Sequence, residues 1–350
     1  MKILFTLFAI HSFLSVSAQK ILDDIKSGNT EKVQKWLEKA DQITETYTKS
    51  DETNTTTINL NVIEWAAFHN QTEIIELFIQ NKDKFPNFGQ WINPALGAST
   101  HNCNLELFKL LVEEGAKLDY RCQMCNDAPP VAIALSYNCD EIFSYLKSQN
   151  VPMITKGTGF DVIHAAAGSS SVEQLKELVE QEGLDINQKG KEGLTPLLSA
   201  ADKGKIDNIK YLLSKGALLT EKDSEGRTAL HFAMNLETFV FLEEKMIKSG
   251  LMTIEMVDKE GPLFMYVIEL DNKELFDYLM IHYKSLLKSK DKDKNHVAMS
   301  LLNTSENTVY FFQQLKKNKF NFDSKNNQGK DLAFYAKKMG KKDLLELLNK

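Results

Sequence analysis

Helix-breaking residues are scarce in this sequence, with only 7 prolines and 17 glycines among 350 residues. Proline and glycine mark most turns, so their scarcity favours helices joined by short turns over a sandwich of many strands. Apolar residues make up 43% of the chain and charged residues 26%. This balance excludes both a disordered chain and a bundle of membrane helices.

A sustained basic stripe is also missing. The formal net charge is -6 and the sequence pI is about 5.8. A surface that neutralises a phosphate backbone needs clustered positive charge, so no nucleic-acid partner is expected.

Common catalytic motifs are absent as well. The sequence contains no Gly-x-Ser-x-Gly, no Gly-x-x-x-x-Gly-Lys-Ser/Thr and no His-Glu-x-x-His. Carboxylates are plentiful, but they fall at helix positions expected to face solvent, and no pair has a spacing typical of acid–base catalysis. We therefore expect neither enzymatic activity nor a bound cofactor or metal.

The N-terminus has the pattern of a secretory signal peptide. Met1 and Lys2 precede an apolar run over residues 3–16, which ends in Val16-Ser17-Ala18. The run is shorter than the roughly 20 residues of a membrane-spanning helix, and no second apolar stretch of that length follows. Residues 1–18 are predicted to be removed, leaving an exported, periplasmic or secreted protein without a membrane span.

A repeat of about 33 residues is the strongest signal. Its clearest copy is Gly-Leu-Thr-Pro-Leu-Leu-Ser-Ala-Ala-Asp-Lys-Gly at 193–204, and the next copy includes Arg-Thr-Ala-Leu-His-Phe-Ala at 227–233. Taking Thr195 as the reference, equivalent positions recur every 32 to 36 residues. These positions are Asn61, Pro94, Pro129, Asp161, Thr195, Thr228, Gly261, Asn295 and Asp331.

These copies resemble ankyrin repeats, whose signature Thr-Pro-Leu-His-x-Ala opens the first helix of each unit. The resemblance implies an all-α solenoid of about ten helix-pair units, which must stack because no single unit buries its apolar face. We expect an N-terminal capping helix pair at 19–40, a polar inserted loop at 41–59, ankyrin-like repeats at 60–326 and a C-terminal capping repeat at 327–350.

Two histidines occupy the last place of the signature run. His164 and His231 are expected to hydrogen-bond their own helix starts to the adjacent loop, a structural role that excludes them as metal ligands or catalytic groups.

The resemblance also implies that a concave surface binds a protein partner. The positions that vary there in the family carry Phe68, His69, His101 and Tyr137 after the reference residue, and Trp91 and Phe160 before it. Aromatic side chains dominate interface energetics, so we expect a monomeric, non-catalytic protein-interaction scaffold acting outside the cytoplasm. Three alternatives stay open: the rings pack between units; His69, His101 and nearby cysteines bind a small ligand or metal; or, as the least favoured, the chain is an enzyme with scattered catalytic residues.

The four cysteines are expected in an oxidising setting. Zinc binding by Cys122 and Cys125 would need two more ligands at comparable spacing, which Cys103 and Cys139 do not supply. By repeat position, Cys103 and Cys139 lie in helix turns, whereas the other two lie in a finger at the far end of the helices, about 15 Å away. Bridgeable Cα atoms are within roughly 7 Å. This predicts Cys122–Cys125 and, more marginally across units about 8–10 Å apart, Cys103–Cys139.

Overall fold

The computed structural model describes residues 16–40, 43, 47–50, 57–122, 125, 127–154, 160–233, 235–250, 253–254, 257–258, 262–304 and 306–349. The chain divides into two compact units, residues 1–184 and residues 185–350, called unit 1 and unit 2 below. Each unit is described by itself.

The described residues of unit 1 form five successive helix pairs. They are α1 (Val16–Lys26) with α2 (Thr30–Lys39), α3 (Val62–Phe68) with α4 (Thr72–Gln80), α5 (Phe88–His101) with α6 (Leu105–Glu113), α7 (Pro130–Ser136) with α8 (Asp140–Ser148), and α9 (Val162–Ser169) with α10 (Val172–Glu182).

Unit 2 repeats the arrangement, and one of its pairs opens with a 3-10 helix. The pairs are α11 (Pro196–Asp202) with α12 (Ile206–Ser214), α13 (Ala229–Phe232) with α14 (Leu236–Ser249), α15 (Leu263–Glu269) with α16 (Lys273–His282), the 3-10 helix Val297–Leu302 with α17 (Thr308–Lys317), and α18 (Leu332–Lys338) with α19 (Lys342–Leu348). The predicted all-α repeat fold of about ten helix pairs is confirmed.

Most reference positions of the repeat cap the first helix of a pair. The side-chain oxygens of Asn61, Thr195 and Asp331 each accept a hydrogen bond from the backbone N–H three residues later, at 2.8, 3.3 and 2.9 Å. A short polar side chain at this position satisfies a donor that the helix leaves unpaired, which explains why the repeat places Asn, Asp or Thr there.

In most described pairs, the turn between the two helices contains a left-handed residue. Examples are Asn70 (φ 58°), Cys103 (φ 54°), Asn138 (φ 56°), Gly204 (φ 64°) and Asp271 (φ 54°). Asparagine, aspartate and glycine adopt this conformation most readily, which makes Cys103 unusual at its position.

The predicted polar loop at 41–59 contains regular structure. Strands β1 (Tyr47–Ser50) and β2 (Thr57–Leu60) pair antiparallel, with Tyr47 opposite Leu60 and Ser50 opposite Thr57. The Thr-rich composition suggested a loop, but β-branched residues such as Thr57 and Ile58 also favour extended backbone.

The predicted signal peptide falls mostly outside the described residues, which begin at Val16. Within the predicted N-terminal cap, α1 and α2 bury Ile21, Leu22, Ile25 and Leu37. In addition, the Trp65 indole N–H donates to the Leu22 carbonyl at 2.9 Å, so this helix pair is joined to the next.

Candidate functional site

Three side chains from consecutive helix pairs form a row at the C-terminal ends of α3, α5 and α7. The rings of Phe68 and His101 are stacked with centroids 5.9 Å apart, and those of His101 and Tyr137 are 4.3 Å apart. We call Phe68, His101 and Tyr137 the aromatic row. The structure thus brings together three of the six partner-binding residues predicted from the sequence.

The aromatic row remains partly open to solvent. Tyr137 is 38% exposed, and Phe68 and His101 are half-buried. Partial burial raises the pKa of the Tyr137 hydroxyl, so this group stays protonated and available as a hydrogen-bond donor at neutral pH. The row therefore combines apolar ring area with polar atoms, as binding surfaces commonly do.

Asn102 fixes the middle of the row. Its side-chain amide donates to the carbonyls of Ala67 and Phe68 at 2.9 and 3.0 Å, and its Oδ1 lies 3.3 Å from His101 Nδ1. These contacts join two neighbouring pairs and orient the imidazole, so the row is held by the fold before any partner arrives.

His69 lies behind the row. Its ring meets the Trp65 indole edge-on with centroids 4.3 Å apart, and its Nε2 is buried without a hydrogen-bond partner among the described residues. Burial, with a smaller contribution from the Lys26 charge, lowers the pKa of His69. At neutral pH the ring is therefore uncharged and acts mainly as a support for Phe68, whose centroid is 5.5 Å away.

Trp91 does not belong to this surface, so the prediction that it binds a partner is wrong. It is only 6% exposed and meets Phe85 edge-on at 6.1 Å. The repeat spacing places a helix start at Pro94. In the structure, α5 begins at Phe88 and continues through Pro94. The added turns place Trp91 on a helix that faces the core.

Phe160 is also separate from the row. It immediately precedes Asp161, the N-cap of α9, whereas the row stands where first helices end. Its half-buried ring lies 5.7 Å from that of His164. The structure therefore places this predicted contact at the opposite end of the first helix.

Both predicted cysteine pairs lie at bonding distance. The sulfurs of Cys103 and Cys139 are 2.01 Å apart and those of Cys122 and Cys125 are 2.28 Å apart, each with Cα atoms 5.0 Å apart. Cys103–Cys139 joins the turns of two adjacent pairs directly beside the aromatic row. Cys122 packs so closely on α5 that a Cβ at Gly97 would lie 3.1 Å from its sulfur.

The signature histidines have the structural role expected of them. Nδ1 of His164 accepts the backbone N–H of Asp161 at 3.2 Å, and Nδ1 of His231 accepts that of Thr228 at 3.0 Å. Each histidine thereby closes a capping box at its own helix start.

Glu64 occupies the equivalent place in the α3 repeat and was missed by sequence reasoning. The expectation that carboxylates face solvent is wrong here, because Glu64 is only 5% exposed. Burial raises its pKa to about 7, against a smaller opposing effect of the Asn61 backbone N–H that it accepts. Its position in the signature run, where a histidine is usual, was the available clue.

The described residues contain no group of three or more His, Cys, Asp or Glu side chains placed to hold a metal ion. Since all four cysteines are paired, their sulfurs are not available as thiolate ligands. Among the described residues, no helix has both the length and the apolar character required to cross a bilayer.

Comparisons with known proteins identify the repeats. Residues 162–253 match the family model for ankyrin repeats in three copies. The chain is 31% identical over 129 residues to alpha-latrocrustotoxin-Lt1a of Latrodectus tredecimguttatus, covering 37% of this chain and 9% of the toxin. It is 32% identical over 117 residues to protein phosphatase 1 regulatory subunit 12A of Rattus norvegicus, covering 33% of this chain and 11% of that subunit.

The chain thus spans about a tenth of the length of these two relatives. Among solved structures, it is similar to a chain from the complex of the Bd0816 predatory endopeptidase of Bdellovibrio bacteriovorus with immunity protein Bd3460. That likeness has a TM-score of 0.40 and 27% sequence identity, and it covers 53% of this chain and 96% of the other.

Proposed function

Because the chain contains ankyrin repeats, we propose that it is a non-catalytic scaffold that binds another protein through the aromatic row of unit 1. The observation that carries the proposal is the alignment of Phe68, His101 and Tyr137 across three neighbouring helix pairs, with Tyr137 38% exposed.

The row has the chemistry of an interface anchor. Partly exposed rings bury a large apolar area when a partner covers them, and they lose little conformational entropy because few torsions are free. The contacts of Asn102 and the support of His69 already hold the rings in place. A partner with an apolar segment bordered by hydrogen-bonding groups would complement this surface.

We further propose that the protein acts outside the cytoplasm as a monomer. The signal-peptide pattern of residues 1–18 supports export, and the two cysteine pairs at bonding distance suit an oxidising compartment. N-terminal sequencing of protein recovered from the native cell is expected to begin at Gln19. An intact Met1 in a cytoplasmic fraction would contradict export.

Substitution in the row tests the binding proposal. A partner is first captured with the wild-type protein. Its affinity for Tyr137→Ala, Phe68→Ala and the control Phe334→Ala is then measured by titration calorimetry. Phe334 lies in unit 2 and is 42% exposed, so it offers a comparable ring away from the row.

Each row variant is expected to weaken binding by more than about 1 kcal/mol, whereas the control leaves the affinity unchanged. Thermal unfolding followed by circular dichroism checks that the variants remain folded. Unchanged affinity in both row variants, or equal loss in Phe334→Ala, would show that the row is not the binding surface.

A further inference from the structure

A surface cavity of about 550 Å³ lies in unit 2, between the segment after α16 and the segment after α17. It is separate from the aromatic row and none of the sequence motifs predicts it. A cavity of this volume is large enough to enclose much of a small organic ligand.

The walls of this cavity carry positive charge only. Lys284, Lys288, Lys290 and Lys319 line it, and no aspartate or glutamate does. Within the described residues, none of these ammonium groups has a carboxylate at ion-pair distance. Residues 284–330 contain ten lysines and four acidic residues, although the whole chain has a net charge of -6. The cavity is thus a local site of anion attraction on an acidic protein.

His296 is the most deeply buried polar residue of the cavity lining. It lines the cavity, is only 2% exposed, and its Nε2 donates to the Ser324 carbonyl at 2.9 Å. Its Nδ1 is buried without a hydrogen-bond partner among the described residues. Buried polar atoms are usually satisfied, so this unpartnered nitrogen is unusual, and its burial keeps it out of reach of a ligand in the cavity.

The cavity also has an apolar part. Leu287 and Phe320 line it, and the Phe320 ring centroid lies 5.3 Å from that of His296. A ligand that fits both features carries negative oxygens for the lysines and an apolar body for Leu287 and Phe320. A phosphate monoester has this combination, because its phosphoryl oxygens accept charge-assisted hydrogen bonds from ammonium groups while its organic group can be apolar.

We propose that this cavity is a binding site for a small phosphate monoester with an apolar body. The lysines attract and hold the phosphoryl oxygens, and Phe320 and Leu287 cover the organic group.

The probes for this proposal are 1-naphthyl phosphate, 1-naphthol and inorganic phosphate, each titrated by calorimetry into the full chain at low salt. We expect naphthyl phosphate to bind at least tenfold more tightly than either of the other two. Equal binding of naphthol, or no binding of naphthyl phosphate at about 5 mM, would overturn the proposal.

Matched double variants distinguish a site from general charge attraction. Lys284→Gln with Lys288→Gln is expected to weaken naphthyl phosphate binding at least tenfold. Lys337→Gln with Lys338→Gln removes the same charge from exposed positions of α18 and is expected to change it less than twofold. Equal weakening in the two double variants would reject a specific site.

Discussion

Neighbouring helix pairs are joined at their turns in both units, but the chemistry of the joint differs. In unit 1 the turns of the third and fourth pairs share the Cys103–Cys139 bond. In unit 2 the carboxylate of Asp271 accepts the backbone N–H groups of Glu306 and Asn307 at 3.0 and 3.1 Å. One repeat geometry therefore accepts a covalent or a hydrogen-bonded joint, and only the first depends on redox conditions.

The side chains at the C-terminal ends of the first helices also differ between the two units. Unit 1 has Phe68, His101 and Tyr137 there, whereas the α11 repeat of unit 2 has Asp202 and Lys203. Asn61 and Thr195 cap α3 and α11 in the same way, so the contrast between Phe68 and Asp202 does not arise from helix capping. It indicates that unit 1 has the more apolar surface for a partner.

The largest expected loss of stability comes from replacing an aromatic residue in the core of unit 1 and not one on its surface. Trp91→Ala removes a buried indole that packs on Phe85, and we expect it to lower the free energy of unfolding by about 4 kcal/mol. Tyr137→Ala, at a 38% exposed position, should cost less than about 1 kcal/mol. Urea unfolding followed by circular dichroism measures both, and equal losses would contradict the assignment of Tyr137 to the surface.

The next prediction concerns the covalent joint. Cys103→Ala with Cys139→Ala opens a link between residues 36 apart, which should destabilise unit 1 by about 3 kcal/mol. Trp36, Trp65 and Trp91, the only tryptophans, all lie in unit 1, so urea unfolding monitored by indole fluorescence reports on this unit.

Cys122→Ala with Cys125→Ala is the control, since it removes the same number of sulfurs from a link between residues only 3 apart. It should cost about 1 kcal/mol, because such a short loop restricts the unfolded chain little. If wild-type protein and the Cys103/Cys139 variant unfold at the same urea concentration, the joint is not a stabilising bond in solution.

A smaller effect of opposite sign is expected from Glu64→Gln. The carboxyl pKa is about 7 in the fold against a usual 4.5, so the folded protein holds an extra proton between these values. The stability that Glu64 contributes is complete below pH 4.5 and is lost as pH rises through 7.

Glutamine has nearly the same shape as glutamate and carries no charge at either pH. At pH 8 we expect Glu64→Gln to raise the free energy of unfolding by about 2 kcal/mol, allowing for a weaker hydrogen bond to a neutral acceptor. At pH 4.5 the variant and the wild type should be alike. Denaturation at both pH values checks this, with exposed Glu73→Gln as the control. A variant no more stable at pH 8 would contradict the burial of an ionisable Glu64.

The sequence predicts those features that depend on local chemistry. Asn61, Thr195 and Asp331 recur at the repeat period because each caps a helix, so spacing alone located the helix starts. The cysteine pairings followed from repeat position in the same way. The pairing of β1 with β2 was missed because an insertion has no counterpart in the other repeats.

The errors at the site have non-local causes. At Pro94 the helix continues, with Asn93 Nδ2 donating to the Gly89 carbonyl and its Oδ1 accepting the Lys117 N–H, and this moved Trp91 from the expected surface to the core. Glu64 is buried although its charged side chain favours exposure, and only its place in the signature run indicates otherwise.

The close fit of Gly97 against Cys122 limits which residues can replace this glycine in related sequences. Any side chain at position 97 would press on a sulfur at 3.1 Å, so a larger residue there is tolerated only if position 122 becomes smaller or its finger withdraws. In related sequences these two positions should therefore covary, and loss of the finger cysteines should be the change that first permits alanine at 97.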